Sequence, residues 1–140
     1  MKTVTYLFVT CLMLTMLGGC ATGPTAEQLA SADYGASITE ADATAKAEAW
    51  VRGILKDPES ARYEWDSFGQ GWATNGLING GGYLYGYRLE GRVNARNSFG
   101  GYTGHRRYLF MFRDGEIAAV WGEQDHTNGG LTTRHMFRLK

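Results

Sequence analysis

The stretch His105–Trp121, HRRYLFMFRDGEIAAVW, decides the fold. Apolar and aromatic residues flank Asp114-Gly115, and an Asp-Gly pair between two such runs is typical of a two-residue β-hairpin. A turn of this length sets the register of the two strands. From the turn outward, the predicted pairs are Arg113 with Glu116, Phe112 with Ile117, Phe110 with Ala119, and Tyr108 with Trp121. Opposite charges and apolar side chains then face one another, which indicates two adjacent antiparallel strands.

Further strands are predicted on both sides of this hairpin. Tyr83–Ala95 alternates in polarity, and so do Arg62–Phe68 and Thr132–Leu139. In Tyr83–Ala95 one face carries Tyr83, Tyr85, Tyr87, Leu89, Val93 and Ala95, and the other carries Arg88, Glu90, Arg92 and Asn94. Gly69–Gly82 is rich in Gly and Asn, so we expect a long connection there. Its large apolar residues, which we expect to hold it in place, are Trp72, Leu77 and Ile78.

A helix is predicted before the first strand. Thr39 is a suitable N-cap, with Asp42 three residues further on. The apolar residues that follow recur with helical spacing and form one stripe: Ala43, Ala47, Trp50, Val51, Ile54 and Leu55. We expect Asp57-Pro58 to end the helix, because the residue before a proline is disfavoured in helical conformation. The fold class is therefore predicted to be α+β, with one amphipathic helix packed on a four- to five-stranded antiparallel meander.

The first twenty residues resemble the signal peptide of a bacterial lipoprotein. Lys2 precedes an apolar run from Val4 to Leu17, and the run ends in Leu17-Gly18-Gly19-Cys20, which resembles a lipobox. The apolar run has about 14 residues, too few to span the hydrocarbon layer of a membrane comfortably. The alternatives are an ordinary secretory peptide with an incidental cysteine and an uncleaved anchor.

This resemblance implies that residues 1–19 are removed and that Cys20 becomes the first residue of the mature chain, acylated with palmitate-type lipid. More than one acyl chain gives stable attachment. Residues 20–38 are small and polar, which predicts a flexible tether, and 39–140 then form a single domain. Ala21 stands where a retention signal for the inner membrane would have Asp, which favours the periplasmic face of the outer membrane.

Composition narrows the possible chemistry. The chain has 14 basic and 14 acidic residues, so the balance argues against nucleic acid and other polyanions as partners. Its two cysteines are Cys11, inside the apolar run, and Cys20. Loss of the first and acylation of the second leave no thiol for a disulfide, for redox chemistry or for a metal. We expect no cofactor.

Two segments of the domain resemble a group of small bacterial exported proteins and lipoproteins. Asp57-Pro58-Glu59-Ser60-Ala61 matches a DPxSA turn, and Val93–Gly104 matches VNA(K/R)NS(Y/F)GGYxG. The resemblance covers roughly residues 45–121. It implies a recurrent domain and no particular activity.

The candidate binding surface combines the second of these segments with the strand before it. Six arginines stand between positions 88 and 113, against Glu90 alone. The residues predicted to contact a partner are Arg88, Arg92, Asn94, Arg96, Asn97, Ser98, Phe99, Tyr102 and His105. Backbone amides of the loop could also form an anion-binding concavity. The alternative is a purely structural loop, in which Gly adopts positive φ while Asn and Ser satisfy backbone groups.

Catalytic and metal sites have weaker support in the sequence. His105, His126 and His135, with Asp125 nearby, match no metal-ligand spacing. There is no Gly-x-Ser-x-Gly motif for a serine nucleophile. We therefore expect a non-catalytic module that binds the membrane, peptidoglycan or an envelope protein. An enzyme acting on envelope glycans or lipids would need a cleft that gathers Glu90, His105 and Ser98. An inhibitor of a periplasmic hydrolase would present a rigid, protruding loop.

Overall fold

The computed structural model describes residues 23–128 and 130–140, and the chain divides into one unit up to Ser31 and another from Ala32 to Lys140. In the first unit, helix α1 (Ala26–Ala30) begins with a capping box, in which the backbone N–H of Gln28 donates to Thr25 Oγ1 (3.2 Å) and the Thr25 N–H donates to Gln28 Oε1 (2.8 Å). The predicted signal peptide and Cys20 lie outside the described residues. Among the residues described, no helix has the length and apolar character needed to cross a membrane.

The second unit contains one main helix and one antiparallel sheet. Their bounds are α2 (Glu40–Arg52), β1 (Arg62–Thr74), β2 (Tyr83–Asn94), β3 (Arg106–Arg113), β4 (Glu116–Asn128) and β5 (Leu131–Arg138). Each strand pairs with the next in chain order, so the sheet is a five-stranded meander. The predicted α+β fold, with an amphipathic helix on this sheet, is confirmed.

Helix α2 begins as predicted and ends early. Thr39 caps it, and its Oγ1 accepts a hydrogen bond from the Asp42 N–H (3.1 Å). The predicted stripe lies against the sheet; its fully buried members are Ala43, Ala47 and Val51. The helix ends at Arg52, with Gly53 as its C-cap, so the predicted end at Asp57-Pro58 was wrong. Glycine is a poor helix former, and the side chain of Ile54, beyond it, is 50% exposed.

The core lies between α2 and the face of the sheet that the helix covers. Phe110 is fully buried at its centre. Four aromatic rings surround Phe110 at centroid distances of 5.7 to 6.3 Å: Trp50, Trp65, Tyr108 and Phe112. The other fully or almost fully buried apolar residues of this cluster on the sheet are Leu89, Val93 and Val120.

Strand β1 is longer than predicted. Residues 69–74, assigned above to a connection, pair with residues 83–88 of β2, because backbone hydrogen bonds form whatever the side chains are. A bulge between Trp65 and Ser67 shifts the alternation, so that Phe68 packs against the core in place of Ser67. The predicted role of Leu77 and Ile78 was also wrong, since their side chains are 94% and 100% exposed.

The β3–β4 hairpin turns at Asp114 and Gly115, both with positive φ (53° and 79°). The pairs Arg113–Glu116 and Phe112–Ile117 are confirmed. Beyond them a bulge leaves Ala118 without a partner, so Phe110 pairs with Val120 and Tyr108 with Gly122. The predicted pairs with Ala119 and Trp121 were therefore wrong, and Trp121 lies on the face away from α2.

That second face of the sheet is concave. Four strand spacings of about 4.8 Å would hold the edges of a flat sheet about 19 Å apart. Instead, Arg138 Nη1 at the end of β5 donates to Asn75 Oδ1 at the end of β1 (2.5 Å). The sheet thus curls toward this face, which we call the concave face. A second apolar cluster lines it: Ala73, Leu84, Leu109, Met111, Ala119 and Trp121.

Candidate functional site

The loop between β2 and β3 is held in shape by the side chain of Asn97. Its Oδ1 accepts hydrogen bonds from the N–H groups of Phe99 (2.9 Å) and Gly101 (3.1 Å). The Asn97 N–H donates to the Gly101 carbonyl (2.8 Å), and the Gly100 N–H donates to the Asn97 carbonyl (3.0 Å). Gly100 has φ of +81°, which explains why glycine suits this position. These amides are satisfied within the loop, which leaves them unsuited to the anion-binding role considered above.

The DPxSA turn is joined to this loop by hydrogen bonds. Ser60 Oγ accepts a hydrogen bond from the Arg96 N–H (2.9 Å) and donates one to the Asp57 carbonyl (2.8 Å). The Tyr102 hydroxyl donates to the Ser60 carbonyl (3.4 Å). The two segments that carried the family resemblance therefore form one structure, which we call the braced loop: residues 94–104 together with Asp57–Arg62.

The ring of Tyr102 lies close to two arginine side chains. The guanidinium carbons of Arg62 and Arg96 are 4.8 and 5.3 Å from the centroid of its ring, within the range of cation–π attraction. A groove of about 420 Å³ lies beside the ring. Its lining residues are Asp57, Glu59, Ser60, Ala61, Arg62, Arg96 and Tyr102. Arg96 and Tyr102 were predicted for this surface from the sequence, whereas Ser60 and Arg62 were not, because they belong to a segment about 35 residues earlier in the chain.

The tip of the braced loop projects an aromatic side chain into solvent. Phe99 is 96% exposed, and all residues from 96 to 103 are exposed. At the base of the loop, Asn94 pairs with Arg62, and its Oδ1 is buried without a hydrogen-bond partner among the described residues. The loop thus presents a large apolar group on a hydrogen-bonded frame.

The arginines of β2 do not form one uncompensated basic surface. Arg92 Nη2 is 3.0 Å from Asp66 Oδ1 and 3.5 Å from Glu64 Oε2, both on β1. His105 Nε2 is 3.2 Å from Glu64 Oε1. Arg88 Nη2 is 2.7 Å from Glu90 Oε1. Because antiparallel pairing places acidic residues of β1 opposite the basic residues of β2, much of the positive charge is locally balanced.

A second ion-pair cluster joins the three C-terminal strands. Asp125 of β4 accepts hydrogen bonds from Arg106 of β3 and from Arg134 of β5 (3.1 Å to its Nε). These contacts, led by the hydrogen bond from Arg106, lower the pKa of Asp125. His135 Nε2 is 2.9 Å from Thr133 Oγ1. Within the described ranges, no three His, Cys, Asp or Glu residues come together as metal ligands.

The residues that an enzyme would use do not line a common groove among those described. Glu90 lines a groove of about 190 Å³ on the concave face, Ser98 is exposed on the braced loop, and His105 lies beside Glu64. Neither His105 nor Ser98 lines this groove or the two other grooves described here.

The concave face carries a third groove, of about 280 Å³. It shares Arg88, Leu109 and Met136 with the groove that contains Glu90. Trp121 contributes an indole ring beneath the guanidinium of Arg138, whose central carbon is 5.4 Å from the ring centroid. Together the two grooves have an apolar floor and a charged end at Asp66, Glu90 and Arg107.

Comparison of the chain with protein-family models, with curated proteins and with solved structures gave no match.

Proposed function

We propose that this chain is a lipid-anchored protein of the bacterial cell envelope whose folded domain binds a partner through the braced loop, without catalysing a reaction. The expected location is the periplasmic face of the outer membrane. The expected partner is an envelope protein or peptidoglycan. The single observation that carries the binding role is the exposed ring of Phe99, held on a loop whose amides are already hydrogen-bonded.

The anchor is supported by the lipobox-like ending at Cys20. We expect cells given labelled palmitate to incorporate the label into the wild-type chain and into Cys11→Ser, and to lose it in Cys20→Ser. Cys11→Ser is the matched control, because it removes the other cysteine of the chain. Label that persisted in Cys20→Ser would contradict the anchor.

The binding role is supported by the energetics of exposed aromatic side chains. Burial of an exposed aromatic ring in a partner contributes more binding free energy than burial of most other side chains does. Ordering of a loop also costs free energy on binding, and much of that cost is already met when hydrogen bonds hold the loop in place. Glu90 lines a groove that neither His105 nor Ser98 lines, and this favours a role in binding over one in catalysis.

The test is photocrosslinking in living cells from position 99. A photoreactive amino acid at this position should yield a discrete crosslinked product, identified by mass spectrometry. The same residue at Gln124, which is exposed on β4, is the matched control and should yield none. Asn97→Ala should weaken the product at least several-fold, because it removes both side-chain hydrogen bonds that shape the loop. Equal products from positions 99 and 124 would overturn the proposal.

A second candidate function, inhibition of a periplasmic hydrolase, is favoured by the same protruding loop. Protease–inhibitor pairs typically bind through surfaces that change little on binding. If the partner crosslinked at position 99 is a hydrolase, its activity should fall when the wild-type chain is added and should recover with Phe99→Ala. Unchanged activity would exclude inhibition while leaving the binding role intact.

A further inference from the structure

We propose that the tip of the β1–β2 hairpin, residues 74–83, inserts into the surface of the lipid bilayer that holds the chain. This inference rests on the lipid anchor in the proposed function. It assigns opposite ends of the domain to different tasks, with the hairpin tip at the membrane and the braced loop facing away from it.

The hairpin tip exposes two aliphatic side chains and carries no charged one. Leu77 and Ile78 are 94% and 100% exposed, in a 3-10 turn that spans Leu77–Asn79. None of the residues 74–83 carries a charged side chain. Two adjacent large aliphatic side chains fully in water are costly for a soluble surface and favourable in the acyl region of a bilayer.

Several backbone N–H and carbonyl groups of the tip form hydrogen bonds with other residues of the tip. The Asn75 N–H donates to the Gly82 carbonyl (2.9 Å), and the Gly81 N–H donates to the Gly76 carbonyl (3.1 Å). Asn75 Nδ2 donates to the Asn79 carbonyl (2.6 Å). Unpaired backbone groups are expensive to move out of water, so this internal bonding lowers the cost of insertion.

Aromatic rings stand directly behind the tip. Trp72 and Tyr83 meet edge to face at 5.2 Å, Tyr83 lies 6.4 Å from Tyr85, and Tyr85 lies 5.9 Å from Tyr34. All four residues are partly exposed. Trp and Tyr are enriched where a membrane meets water, because the ring is apolar and the N–H or O–H is polar. An aliphatic tip followed by a row of such rings is the pattern expected for shallow insertion.

The chain from the predicted anchor joins the domain at this same end of the sheet. Arg113, at the end of β3, donates through Nη1 to the carbonyl of Tyr85 (3.3 Å) and to the carbonyl of Asp33 (2.7 Å). The Ala36 N–H donates to Asp114 Oδ1 (2.8 Å). Twelve residue steps separate Cys20 from Ala32, which reach at most about 43 Å when fully extended. The lipid therefore holds this end of the domain within about 43 Å of the bilayer, and insertion of the tip would bring it to the surface.

The braced loop lies at the other end of β2. The strand runs from Tyr83 to Asn94, a length of roughly 35 Å at the usual rise of a strand. Tyr83 borders the hairpin tip, and Asn94 begins the braced loop. Insertion of the tip thus directs Phe99 away from the membrane, where an envelope partner can reach it.

The test uses tryptophan fluorescence of the full chain, isolated from cell membranes and reconstituted in phosphatidylcholine vesicles with and without brominated acyl chains. Bromine quenches only tryptophans close to it. We expect Ile78→Trp to add a fluorescence signal that the brominated lipid quenches about twofold or more. Phe99→Trp, at a site equally exposed, should add a signal that is not quenched. The wild-type chain gives the contribution of its own four tryptophans.

Each outcome decides the proposal. Selective quenching of the tryptophan at position 78 supports insertion. A signal at position 78 that is shifted to the blue without quenching would place the tip in a protein partner or a second copy of the chain, and would overturn the proposal. Equal quenching at both positions, or none at either, would overturn it as well. The intact mass of the purified chain reports lipid on Cys20 separately, so failure of the anchor is distinguishable from failure of the tip to insert.

Discussion

Ser60 Oγ lies 2.9 Å from the backbone nitrogen of Arg96, although 36 residues separate the two in the chain. The same hydroxyl donates to the Asp57 carbonyl, so a single oxygen joins the turn before β1 to the loop after β2. A Ser after Asp-Pro and an Arg before Asn-Ser are unremarkable when each segment is considered alone. Their contact joins the two segments into one structure.

Removal of the Ser60 hydroxyl should loosen the braced loop. Ser60→Ala leaves the Arg96 N–H without its acceptor, and a lost hydrogen bond of this kind costs about 1 kcal/mol of unfolding free energy. Hydrogen exchange at the Arg96 amide should become at least severalfold faster, while exchange in β3 changes little. Ser98→Ala is the control, because that side chain is exposed on the same loop; it should change stability by less than about 0.5 kcal/mol. Identical exchange at Arg96 in both variants would show that Ser60 does not support the loop.

Gly91 should resist substitution by any larger residue. A Cβ at this position would lie 2.5 Å from the Glu64 carbonyl oxygen and 2.5 Å from Cε3 of Trp65, both on the neighbouring strand. Gly91→Ala must push β1 and β2 apart, which should cost about 1–3 kcal/mol in urea unfolding. Gly69→Ala is the matched control on β1, where a Cβ meets nothing within 4 Å, and it should be neutral or slightly stabilising. Equal midpoints for the two variants would contradict this account of the β1–β2 contact.

Acid should release the segment around Asp33 from the β3–β4 hairpin. The Gly35 N–H donates to the Asp33 carboxylate and Arg113 pairs with it, and both lower the pKa of Asp33. A carboxyl with a lowered folded-state pKa contributes stability above its unfolded pKa of about 3.9, and this is lost as the pH falls through the lower folded value. Amide exchange at Gly35 and Ala36 should therefore rise as the pH drops below about 4.

Asp33→Asn tests the cause of that release. Exchange rates are first corrected for the intrinsic dependence of amide exchange on pH. In this variant, the corrected rates at Gly35 and Ala36 should already be fast at pH 7. The increase at low pH should then disappear. A step of unchanged size in Asp33→Asn would assign it to another carboxyl, such as Asp114, whose Oδ1 accepts from the Ala36 N–H.

Much of the covered face could be predicted from the sequence, because alternation reports burial directly. Leu89 and Val93 were placed together on one face of their strand, which is the face that α2 covers, and Asp114-Gly115 set the first two pairs of its hairpin. The bulge at Ala118 could not be predicted from the sequence, because alanine fits either face of a sheet. The register beyond the turn therefore depends on packing. That one extra residue moved Trp121 from the face that it was predicted to share with Tyr108 and Phe110 to the concave face.

The extent of β1 and the charge balance of the site could not be predicted from the sequence, because both depend on which strand lies alongside. Glycines at 69 and 71 suggest a loop, yet both lie within the strand. At Gly71 the neighbouring strand needs the room, because a Cβ there would lie 3.1 Å from Arg88 Cβ. The acidic partners of Arg92 lie on β1, and their position depends on a register that no local pattern states. Candidate residues on one strand could be chosen from the sequence, while the groups that neutralise them could not.

The pairing of arginines with carboxylates has a kinetic consequence. The chain carries a formal net charge of zero, and Arg88, Arg92 and Arg106 each have an acidic neighbour within the described structure. Such a surface projects little long-range field, so encounters with a partner are not accelerated by electrostatic steering and should depend weakly on salt. Association would then proceed at the ordinary rate for docking two patches, about 10⁵–10⁶ M⁻¹s⁻¹. The lifetime of any complex then depends on contacts that form only after the two molecules meet.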